Sequence, residues 1–526
     1  MDAHSLPEDV AACHDLIAQL DSANDQLSAT LESQGRELEQ LKHYIAQLLR
    51  QRFGPRSERV DPNQLALFDG NGADAQQAAA AIDEPTENPS LAVVVREHRR
   101  GGGRSALPAD LPRRQVEHDL AEADKACPSC GQARERIGCE TSEQLEFIPA
   151  SLEVIEHVRW KYACRHCQEH VAIAPPPAKP IERGLPGPGL LATLVVGKYG
   201  DHLPLYRLED VFARHGVEIS RGTLCRWARA TADRLEPLYQ SMVERVRMSK
   251  VIHTDDTPVP VLDPALPHTR TGRFWVYVGD ANHPYSVYDY TTSRKRDGPA
   301  EFLRDFSGYL QADAFAGYDG IYAAGSVKQV LCWAHARRKF HESRTVQPEP
   351  AHQALAFIAR LYDIEREATS LEPAQRLKLR RCRSLAILDQ FRSWLVLTEA
   401  KVLPKSPLGQ AIGYVLPRWE GFVRYCEDGA LAIDNNLSER TIRPCAIGRK
   451  NWLFLGSDRG GRTAAILFSF MASSKANQVE PFAYLADVLA RLAEIGPRTS
   501  TPEQFAELLP DVWLRAHPSA RRRFSR

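Results

Sequence analysis

The chain has 526 residues, of which 43% are hydrophobic and 25% are charged, an ordinary composition for a globular protein. At roughly 100 to 200 residues per domain, this length predicts about three to five structural units. Lysine plus arginine (67) equal aspartate plus glutamate (67), so the overall charge indicates neither a nucleic-acid partner nor a membrane partner. Any such surface must come from local segregation of charge.

The apolar runs and the cysteines bear on the cellular compartment. The longest runs, residues 190–196 and 464–471, are far shorter than the ~18 residues that a membrane span needs. The first ten residues lack the basic and apolar pattern of a secretion signal. Eleven cysteines are too sparse for a disulfide scaffold, and their odd number favours reduced thiols. We therefore expect a soluble, cytoplasmic protein.

Residues 13–50 repeat apolar side chains every seven positions. One register contains Ile17 and Leu31, and a second register follows three residues later. This pattern predicts a coiled coil, and Asn24 at an a position favours a parallel dimer, because a buried asparagine there defines the register. We assign residues 1–59 to a coiled-coil dimerisation segment. An amphipathic helix that packs on its own domain is the alternative.

The charge pattern changes sharply after this segment. Residues 60–95 contain no lysine or arginine, six acidic residues and an alanine-rich middle, which predicts an acidic linker. Residues 96–114 then carry six arginines, two acidic residues and three consecutive glycines. A flexible basic arm of this kind can lie against DNA, although a solvated basic loop is the alternative. The candidate DNA contacts are Arg99, Arg100 and Arg104.

Two CxxC pairs lie within residues 96–180. Cys127 with Cys130, and Cys164 with Cys167, can each present two thiolates to one tetrahedral zinc ion. Two alternating stretches between the pairs, SEQLEFI and SLEVIEHVRWKYAC, predict a hairpin that brings the second pair back to the first. We predict a zinc ribbon with structural Zn²⁺, and a redox pair is the alternative.

A proline-rich stretch, PPPAKPIERGLPGPG, precedes a predicted helical region over residues 181–247. A turn at Gly216 and an N-cap at Ser220 predict the order of a helix-turn-helix. Many helix pairs share this outline and serve only for packing, which is the alternative. The candidate DNA contacts of the second helix are Arg221, Thr223 and Arg226.

The sequence after residue 248 predicts a ribonuclease H-like α/β core. A β-branched run from Lys250 places Asp255 and Asp256 on opposite faces of the first strand. In this fold, acids at the ends of the first and fourth strands lie side by side, which selects Asp255 and Asp313. Further strands are predicted over residues 273–280, 284–291, 308–315 and 328–335, with a short helix over residues 300–306.

A third carboxylate is expected from a later helix. Asp434 is predicted to cap a helix that carries Glu439 and ends at Pro444. Three crowded carboxylates are unfavourable without cations, but two Mg²⁺ ions would neutralise them and support phosphodiester cleavage and transfer. Nearby basic side chains are predicted to clamp DNA phosphates, with a solvated face as the alternative. They are Arg440, Arg443, Arg449 and Lys450.

Two further features have open interpretations. Cys332 and His335 are predicted on the fifth strand, from which they either reach the catalytic cleft or serve as core and surface residues. The last twelve residues carry five arginines and no acid, which indicates a DNA-backbone-binding tail or a frayed terminus.

Together these motifs resemble the insertion-sequence 66 family of bacterial DDE transposases. The coiled coil followed by RFGPRSER, the CxxC pairs, HTDDTP, LQADAFAGYDGIY, CWAHARRKFHE, DNNLSERTIRP and GRKNWLFLGS occur in the family's order and cover nearly the whole chain. The resemblance implies that Asp255, Asp313 and Glu439 are the catalytic acids with Mg²⁺ or Mn²⁺, and that the four CxxC cysteines form a zinc finger. One departure is Asp256, where such proteins commonly have glutamate.

The resemblance also implies a domain division and partners. Residues 248–345 and 431–480 are the two parts of the catalytic core, residues 346–430 are a helical insertion, and residues 481–526 are a C-terminal helical region with a basic tail. The implied partners are double-stranded DNA (element ends and target), further copies of the chain in a homodimer or higher oligomer, and accessory proteins of the same element. The implied location is the bacterial cytoplasm, at the nucleoid.

The sequence therefore predicts a multidomain transposase with a coiled coil, a zinc ribbon, a helix-turn-helix-like region and an α/β core. It would bind the terminal repeats of its insertion sequence and catalyse metal-dependent strand cleavage and strand transfer. A zinc-containing dimeric DNA-binding regulator is one rival, but it would leave the three acids unused. A ribonuclease H-like nuclease is another, and it would use the acids without joining DNA ends to a target.

Overall fold

The computed structural model of the protein describes residues 184–495 and 501–522 continuously. Before them it describes residue 9 and residues 14–15, 17–31, 33–35, 38, 152–157, 161–162, 172–173 and 177–182. The predicted acidic linker, the basic arm with Arg99, Arg100 and Arg104, and the four CxxC cysteines lie outside the described residues. Within the described part of the chain, no helix is both long enough and apolar enough to span a membrane.

Residues 17–31 form a helix, α1, inside the predicted coiled-coil segment. Its apolar side chains are exposed: Ile17 is 55% and Leu27 is 63% accessible. The described residues of this chain therefore leave the seam uncovered. Its pairing with a second chain stays a prediction.

Two short strands, β1 (Lys161–Tyr162) and β2 (Ala172–Ile173), pair antiparallel. In the sequence they flank the second CxxC pair. Residues 152–157, which were predicted as part of a strand, are exposed and have no regular secondary structure. The strand prediction is wrong for these six residues, and its predicted partner stretch, SEQLEFI, lies outside the described residues.

A five-stranded mixed sheet lies at the centre of the core, in the order β5-β4-β3-β6-β7. The first three strands form an antiparallel meander, whereas β6 pairs parallel with β3 and β7 pairs parallel with β6. Residues 274–277 are all buried, and because successive side chains point to opposite faces, both faces of the sheet are covered. The strands are β3 (Val251–Val261), β4 (Arg270–Val278), β5 (Ser286–Thr291), β6 (Gly308–Ala312) and β7 (Val327–Leu331).

Helices surround this sheet and form the region between its last strand and the third acid. Before the sheet come α2 (Pro188–Val195), α3 (Leu205–Arg214) and α4 (Arg221–Arg247). Between and after the strands come α5 (Asp297–Phe302), α6 (Asp319–Ala323) and α7 (Trp333–Ser343). The predicted insertion contains α8 (Pro348–Glu367), α9 (Pro373–Leu379), α10 (Leu385–Glu399), α11 (Pro407–Val415) and α12 (Trp419–Val423). The chain continues with α13 (Asn436–Trp452), α14 (Asp458–Ala476), α15 (Pro481–Ile495), α16 (Pro502–Glu507) and α17 (Pro510–Ala516).

Helix α14 covers the outer strand β5. The hydroxyl oxygens of Ser473 and Ser469 accept hydrogen bonds from the backbone N–H groups of Ser286 (3.1 Å) and Tyr288 (2.8 Å). An edge strand exposes unpaired backbone groups, so these two serines satisfy donors that would otherwise be buried without a partner.

The local geometry predicted for the helix pair α3 and α4 is confirmed. Gly216 has φ +83°, a left-handed conformation that favours glycine, and it allows the chain to turn between the helices. The hydroxyl oxygen of Ser220 accepts a hydrogen bond from the backbone N–H of Thr223 (3.3 Å), so Ser220 is the N-cap of α4.

Several predicted boundaries are wrong. The strands predicted over residues 273–280, 284–291 and 308–315 span residues 270–278, 286–291 and 308–312 instead. The fifth strand ends at Leu331 rather than at residue 335, and helix α7 begins at Trp333 because Trp333 and Phe340 are buried at helical spacing. The helix predicted over residues 300–306 begins earlier, at Asp297, and ends earlier, at Phe302. Pro299 fits the first turn of this helix, where no amide hydrogen is needed.

Candidate active site

Three acidic side chains lie on β3 or on elements that lie beside it. Asp255 lies on β3, and Asp313 directly follows β6. In the parallel pair, His253 lies opposite Gln311, so both acids lie two residues beyond the same paired position. Glu439 lies in the first turn of α13, which packs against β3.

Burial and mutual repulsion disfavour the charged forms of these carboxylates. The pKa of Asp255 is raised to about 7, chiefly by burial and further by the charges of Asp313 and Glu439, although the Asp256 backbone N–H donates to its Oδ1 at 2.7 Å and opposes the rise. Burial also raises the pKa of Asp313, against the opposing effect of His335. Clustered carboxylate oxygens of this kind are the donors that Mg²⁺ and Mn²⁺ prefer, so the residues fit the predicted metal.

Asp256 has a different environment from its neighbour Asp255. Its side chain is 3% exposed and accepts hydrogen bonds from Arg273 Nη1 (2.7 Å) and Arg294 Nη2 (2.8 Å). Two arginines therefore compensate its charge, and little uncompensated negative charge remains to bind a metal ion. The Arg294 guanidinium also lies 4.0 Å from Asp313 and 4.1 Å from the ring centre of Phe315.

The sequence interpretation missed both arginines. Arg273 could have been found from the strand register, because Asp256 pairs with Trp275 and Arg273 is therefore its diagonal neighbour two residues along β4. Arg294 lies in the loop after β5, and the sequence contains no local signal that directs it to Asp256.

The helix that carries Glu439 differs from its prediction at both ends. Asn435 is its N-cap, and Asp434 lies one residue earlier, where its Oδ1 accepts a hydrogen bond from the Asn436 backbone N–H (3.2 Å). The helix also continues through Pro444 to Trp452. Tertiary packing outweighs the lost backbone hydrogen bond, since Ile442, Cys445 and Gly448 are buried along one side.

Asn435 connects three elements at the start of α13. Its Nδ2 donates to the Thr254 carbonyl oxygen of β3 (2.8 Å), and its backbone N–H donates to Cys332 Sγ (3.2 Å). Its Oδ1 lies 3.2 Å from His253 Nδ1. Burial lowers the pKa of His253 to about 4, so this imidazole is neutral and donates to Asn435. These bonds fix the turn from which Glu439 projects.

Cys332 and His335 do not lie on the fifth strand as predicted. Cys332 is the N-cap of α7, and His335 is the third residue of that helix. Both side chains are close to the third acid: His335 Nδ1 lies 3.7 Å from Glu439 Oε1. One donor atom each from Cys332, His335 and Glu439 lies within 4.8 Å of the others.

The predicted DNA contacts within the described residues differ in their availability. Arg440, Arg443 and Lys450 are exposed on α13. Arg449 is half-buried instead, and its Nη1 donates to the Pro258 carbonyl oxygen and to Thr257 Oγ1 (3.4 Å).

On α4, all three candidates have partners within the chain. Arg226 Nη2 donates to Thr223 Oγ1 (3.0 Å). The guanidinium of Arg221 lies 4.0 Å from the Glu209 carboxylate. Both arginine side chains remain exposed, so these contacts do not bury their charges.

Comparison with protein families gives matches along most of the chain. Residues 183–463 match the model described as "Transposase IS66 family". Residues 124–168, which include all four CxxC cysteines, match "zinc-finger binding domain of transposase IS66". Residues 40–116 match "Transposase C of IS166 homeodomain", and residues 469–510 match "IS66 C-terminal element".

Curated relatives come from Sinorhizobium fredii (strain NBRC 101917 / NGR234). Uncharacterized protein y4jD is 33% identical over 512 residues, which cover 93% of this chain and 98% of the relative. Uncharacterized protein y4hP is 33% identical over 500 residues (90% and 88%), and uncharacterized protein y4qI is 32% identical over 527 residues (94% and 95%). Because a transposase model matches more than half of the chain and these relatives match nearly all of it, the protein belongs to the IS66 transposase family.

Proposed function

We propose that the protein is a DDE transposase that binds the terminal repeats of its insertion sequence and catalyses metal-dependent cleavage and transfer of DNA strands. The observation that carries the proposal is the convergence of Asp255, Asp313 and Glu439. Burial, and after it the charges of the other two acids, raises the pKa of Asp255 to about 7. A cluster of carboxylates in a partly buried position is favoured only when positive charge is brought to it.

The arrangement of the sheet supports a ribonuclease H-like core. An antiparallel meander of three strands is followed by two strands that add in parallel on the other side of the first. The two aspartates are supplied by adjacent parallel strands, and the glutamate comes from a helix after a long helical stretch. This placement supports the catalytic roles proposed for the three acids.

We assign the three acids to hold two Mg²⁺ or Mn²⁺ ions through carboxylate oxygens. Bound divalent ions supply activation of a water or 3′-hydroxyl and stabilisation of the leaving oxygen of a phosphodiester. Asn435 acts as a positioning residue, because its bonds to Thr254 and Cys332 fix the start of the helix that carries Glu439. Arg294 brings a guanidinium to the edge of the acid cluster, which favours an approaching phosphate.

We further propose that DNA is held by several separate basic surfaces. Arg440, Arg443 and Lys450 are exposed on the helix of the third acid, and Arg221 and Arg226 are exposed near the start of α4. The basic arm and a zinc ribbon held by the CxxC cysteines would add contacts outside the described residues. The exposed apolar side of α1 supports a coiled-coil dimer of chains. We propose that the protein works in the bacterial cytoplasm.

The experiment that tests this function is incubation of the full-length protein with labelled candidate element ends and Mg²⁺ or Mn²⁺. We expect nicked DNA and products in which the ends are joined to a target. Cleaved ends that are never joined would favour a nuclease of the same fold. Binding without any cleavage, in the presence of either metal, would favour a zinc-containing regulator and would refute the enzymatic proposal.

A further inference from the structure

A second group of donor atoms overlaps the acid cluster, and two of its three residues are not used by the proposed strand-transfer chemistry. It consists of the Cys332 thiol, the His335 imidazole and the Glu439 carboxylate, and one donor atom of each lies within 4.8 Å of the others. We propose that these three residues form a zinc-binding site, separate from the zinc ribbon, and that zinc bound there inhibits DNA cleavage. The inhibitory consequence rests on the proposed function, whereas the binding site itself does not.

The two helices that supply these donors are joined by a hydrogen bond from a backbone N–H group to the cysteine sulfur. Cys332 is the N-cap of α7, and His335 lies three residues later, so both side chains project on the same side of that helix. The backbone N–H of Asn435, the N-cap of α13, donates to Cys332 Sγ at 3.2 Å. The start of the Glu439 helix is therefore held against the cysteine, and the three donors are brought together before any metal binds.

Two backbone N–H groups are directed at the cysteine sulfur. It accepts hydrogen bonds from the backbone N–H groups of both Asn435 and His335, and such bonds favour the thiolate form. Burial has the opposite and larger effect and raises the pKa of Cys332 to about 12, so the metal-free residue is a thiol. Zinc binding would release this proton to solvent and replace the S–H bond by a zinc–sulfur bond.

The imidazole has a free ring nitrogen directed at the site. His335 Nδ1 is buried and has no hydrogen-bond partner among the described residues, and it lies 3.7 Å from Glu439 Oε1. Buried ring nitrogens are normally paired, so this vacant donor position is an independent indication of a missing ligand. The His335 and Glu439 side chains are each 29% exposed, which gives an ion access from solvent.

The donor set selects zinc over the ions proposed for catalysis. Thiolate and imidazole suit Zn²⁺, whereas Mg²⁺ prefers oxygen ligands. Zinc–ligand bonds of about 2.0 to 2.3 Å place donor atoms roughly 3 to 4 Å apart, which small side-chain rotations can reach from the present separations. Three protein ligands would leave a fourth position for water. Because Glu439 belongs to both sites, zinc at Cys332 and His335 would withdraw it from Asp255 and Asp313.

The binding site can be tested by counting metal in the full-length protein. After equilibration with zinc and desalting, we expect about two zinc ions per chain in the unmodified protein, one of them in the ribbon, and about one in Cys332→Ser and His335→Ala. Cys426→Ser is the matched control, because Cys426 is also buried, with its pKa also raised to about 12, yet lies away from these donors. Cys426→Ser should retain about two zinc ions per chain. Serine at position 332 keeps an acceptor for Asn435, and thermal unfolding checks that each variant is folded.

Cobalt provides a second measurement. The difference spectrum between the cobalt-loaded unmodified protein and Cys332→Ser should contain a thiolate-to-cobalt charge-transfer band, because the ribbon contributes equally to both. The proposal is overturned if the unmodified protein binds no more zinc than Cys332→Ser, or if Cys426→Ser loses the second zinc as well. Loss of the second zinc ion in His335→Ala but not in Cys332→Ser would also overturn the proposal, since the thiolate would then not be a zinc ligand.

Inhibition is tested by titrating zinc into the DNA cleavage assay at fixed Mg²⁺. Half-inhibition should require at least about tenfold more zinc for Cys332→Ser than for Cys426→Ser, and it should shift to higher zinc as Mg²⁺ is raised. Equal inhibition of both variants would refute the inhibitory role. If no variant cleaves DNA in Mg²⁺, the proposed function fails, while the zinc count and the cobalt spectrum still decide whether the site exists.

Discussion

Replacing Asp255 by asparagine should stabilise the metal-free protein above about pH 4, by an amount that grows until about pH 7. The pKa of this carboxyl is raised from 3.8 to about 7, chiefly by burial. A raised pKa in the folded state means that, as the pH rises, Asp255 loses its proton in the unfolded chain before it does so in the folded chain. Ionisation of Asp255 therefore destabilises the folded protein. This destabilisation is absent below about pH 4, grows as the pH rises and is complete above about pH 7. At about 1.4 kcal/mol per pKa unit, a rise of about three units corresponds to about 4 kcal/mol at most.

Asparagine has nearly the shape of aspartate but cannot ionise, so the variant should lack this destabilisation. Denaturant unfolding is followed by tryptophan fluorescence with a chelator present. We expect the free energy of unfolding of Asp255→Asn to exceed that of the unmodified protein by about 1 to 2 kcal/mol at pH 5 and by about 4 kcal/mol at pH 8. Saturating Mg²⁺ should reduce the difference at pH 8, because the ion stabilises only the chain that keeps the carboxylate.

The adjacent residue is a matched control of opposite sign. Asp256→Asn removes the charge that pairs with Arg273 and Arg294, so it should destabilise the protein by about 2 kcal/mol at pH 8. A loss of stability in Asp255→Asn at pH 8 in chelator would refute the reasoning. So would a gain that is equal at pH 5 and pH 8, because it could not come from ionisation of this carboxyl.

The other predictions concern cleavage, zinc and assembly. Asp313→Ala and Glu439→Ala should each abolish strand cleavage but retain DNA binding in gel shifts, since most affinity comes from phosphate contacts elsewhere. Cleavage by either variant would show that the replaced acid is not a ligand of the catalytic metal ions. Cys127→Ser should lower zinc by about one per chain and destabilise the ribbon, whereas zinc content unchanged by this substitution would contradict a CxxC site. Deletion of residues 1–50 should give monomers by light scattering and weaken the pairing of two DNA ends more than the binding of one; a truncated protein that stays dimeric would place the dimer contact elsewhere.

Features that depend on short-range patterns were predictable from the sequence. The strand that carries Asp255 was found because its β-branched run is visible in a few consecutive residues, although Asp255 lies within β3 (Val251–Val261) and not at the predicted strand end. Asp313 follows directly after β6, close to where an acid was predicted to end that strand. The N-cap at Ser220 and the turn at Gly216 are local in the same sense, since each depends on the conformation of only a few neighbouring residues. In each of these places, packing agrees with the local preference.

The errors arose where packing decides against a local rule. Pro444 ordinarily ends a helix, yet buried Ile442 and Cys445 on the same side keep α13 continuous around it. Likewise, the apolar run VLCWA resembles the end of a strand, but Trp333 packs at helical spacing and begins α7 instead. Contacts across the fold, such as Arg294 with Asp256, are separated by 38 residues and leave no periodic trace in the sequence.

The pair Asp255 and Asp256 shows how the same side chain acquires two functions from its surroundings. Among the residues that the structure describes, no arginine contacts the Asp255 carboxylate, and two further acids repel its charge, so a metal ion is the cation that we propose for it. Asp256 already has two arginines, and through Arg294 it holds a positive charge 4.0 Å from Asp313. An ion pair with a long, adaptable arginine tolerates a change of carboxylate length better than metal coordination does. We therefore expect that Asp256→Glu would leave the proposed metal site intact.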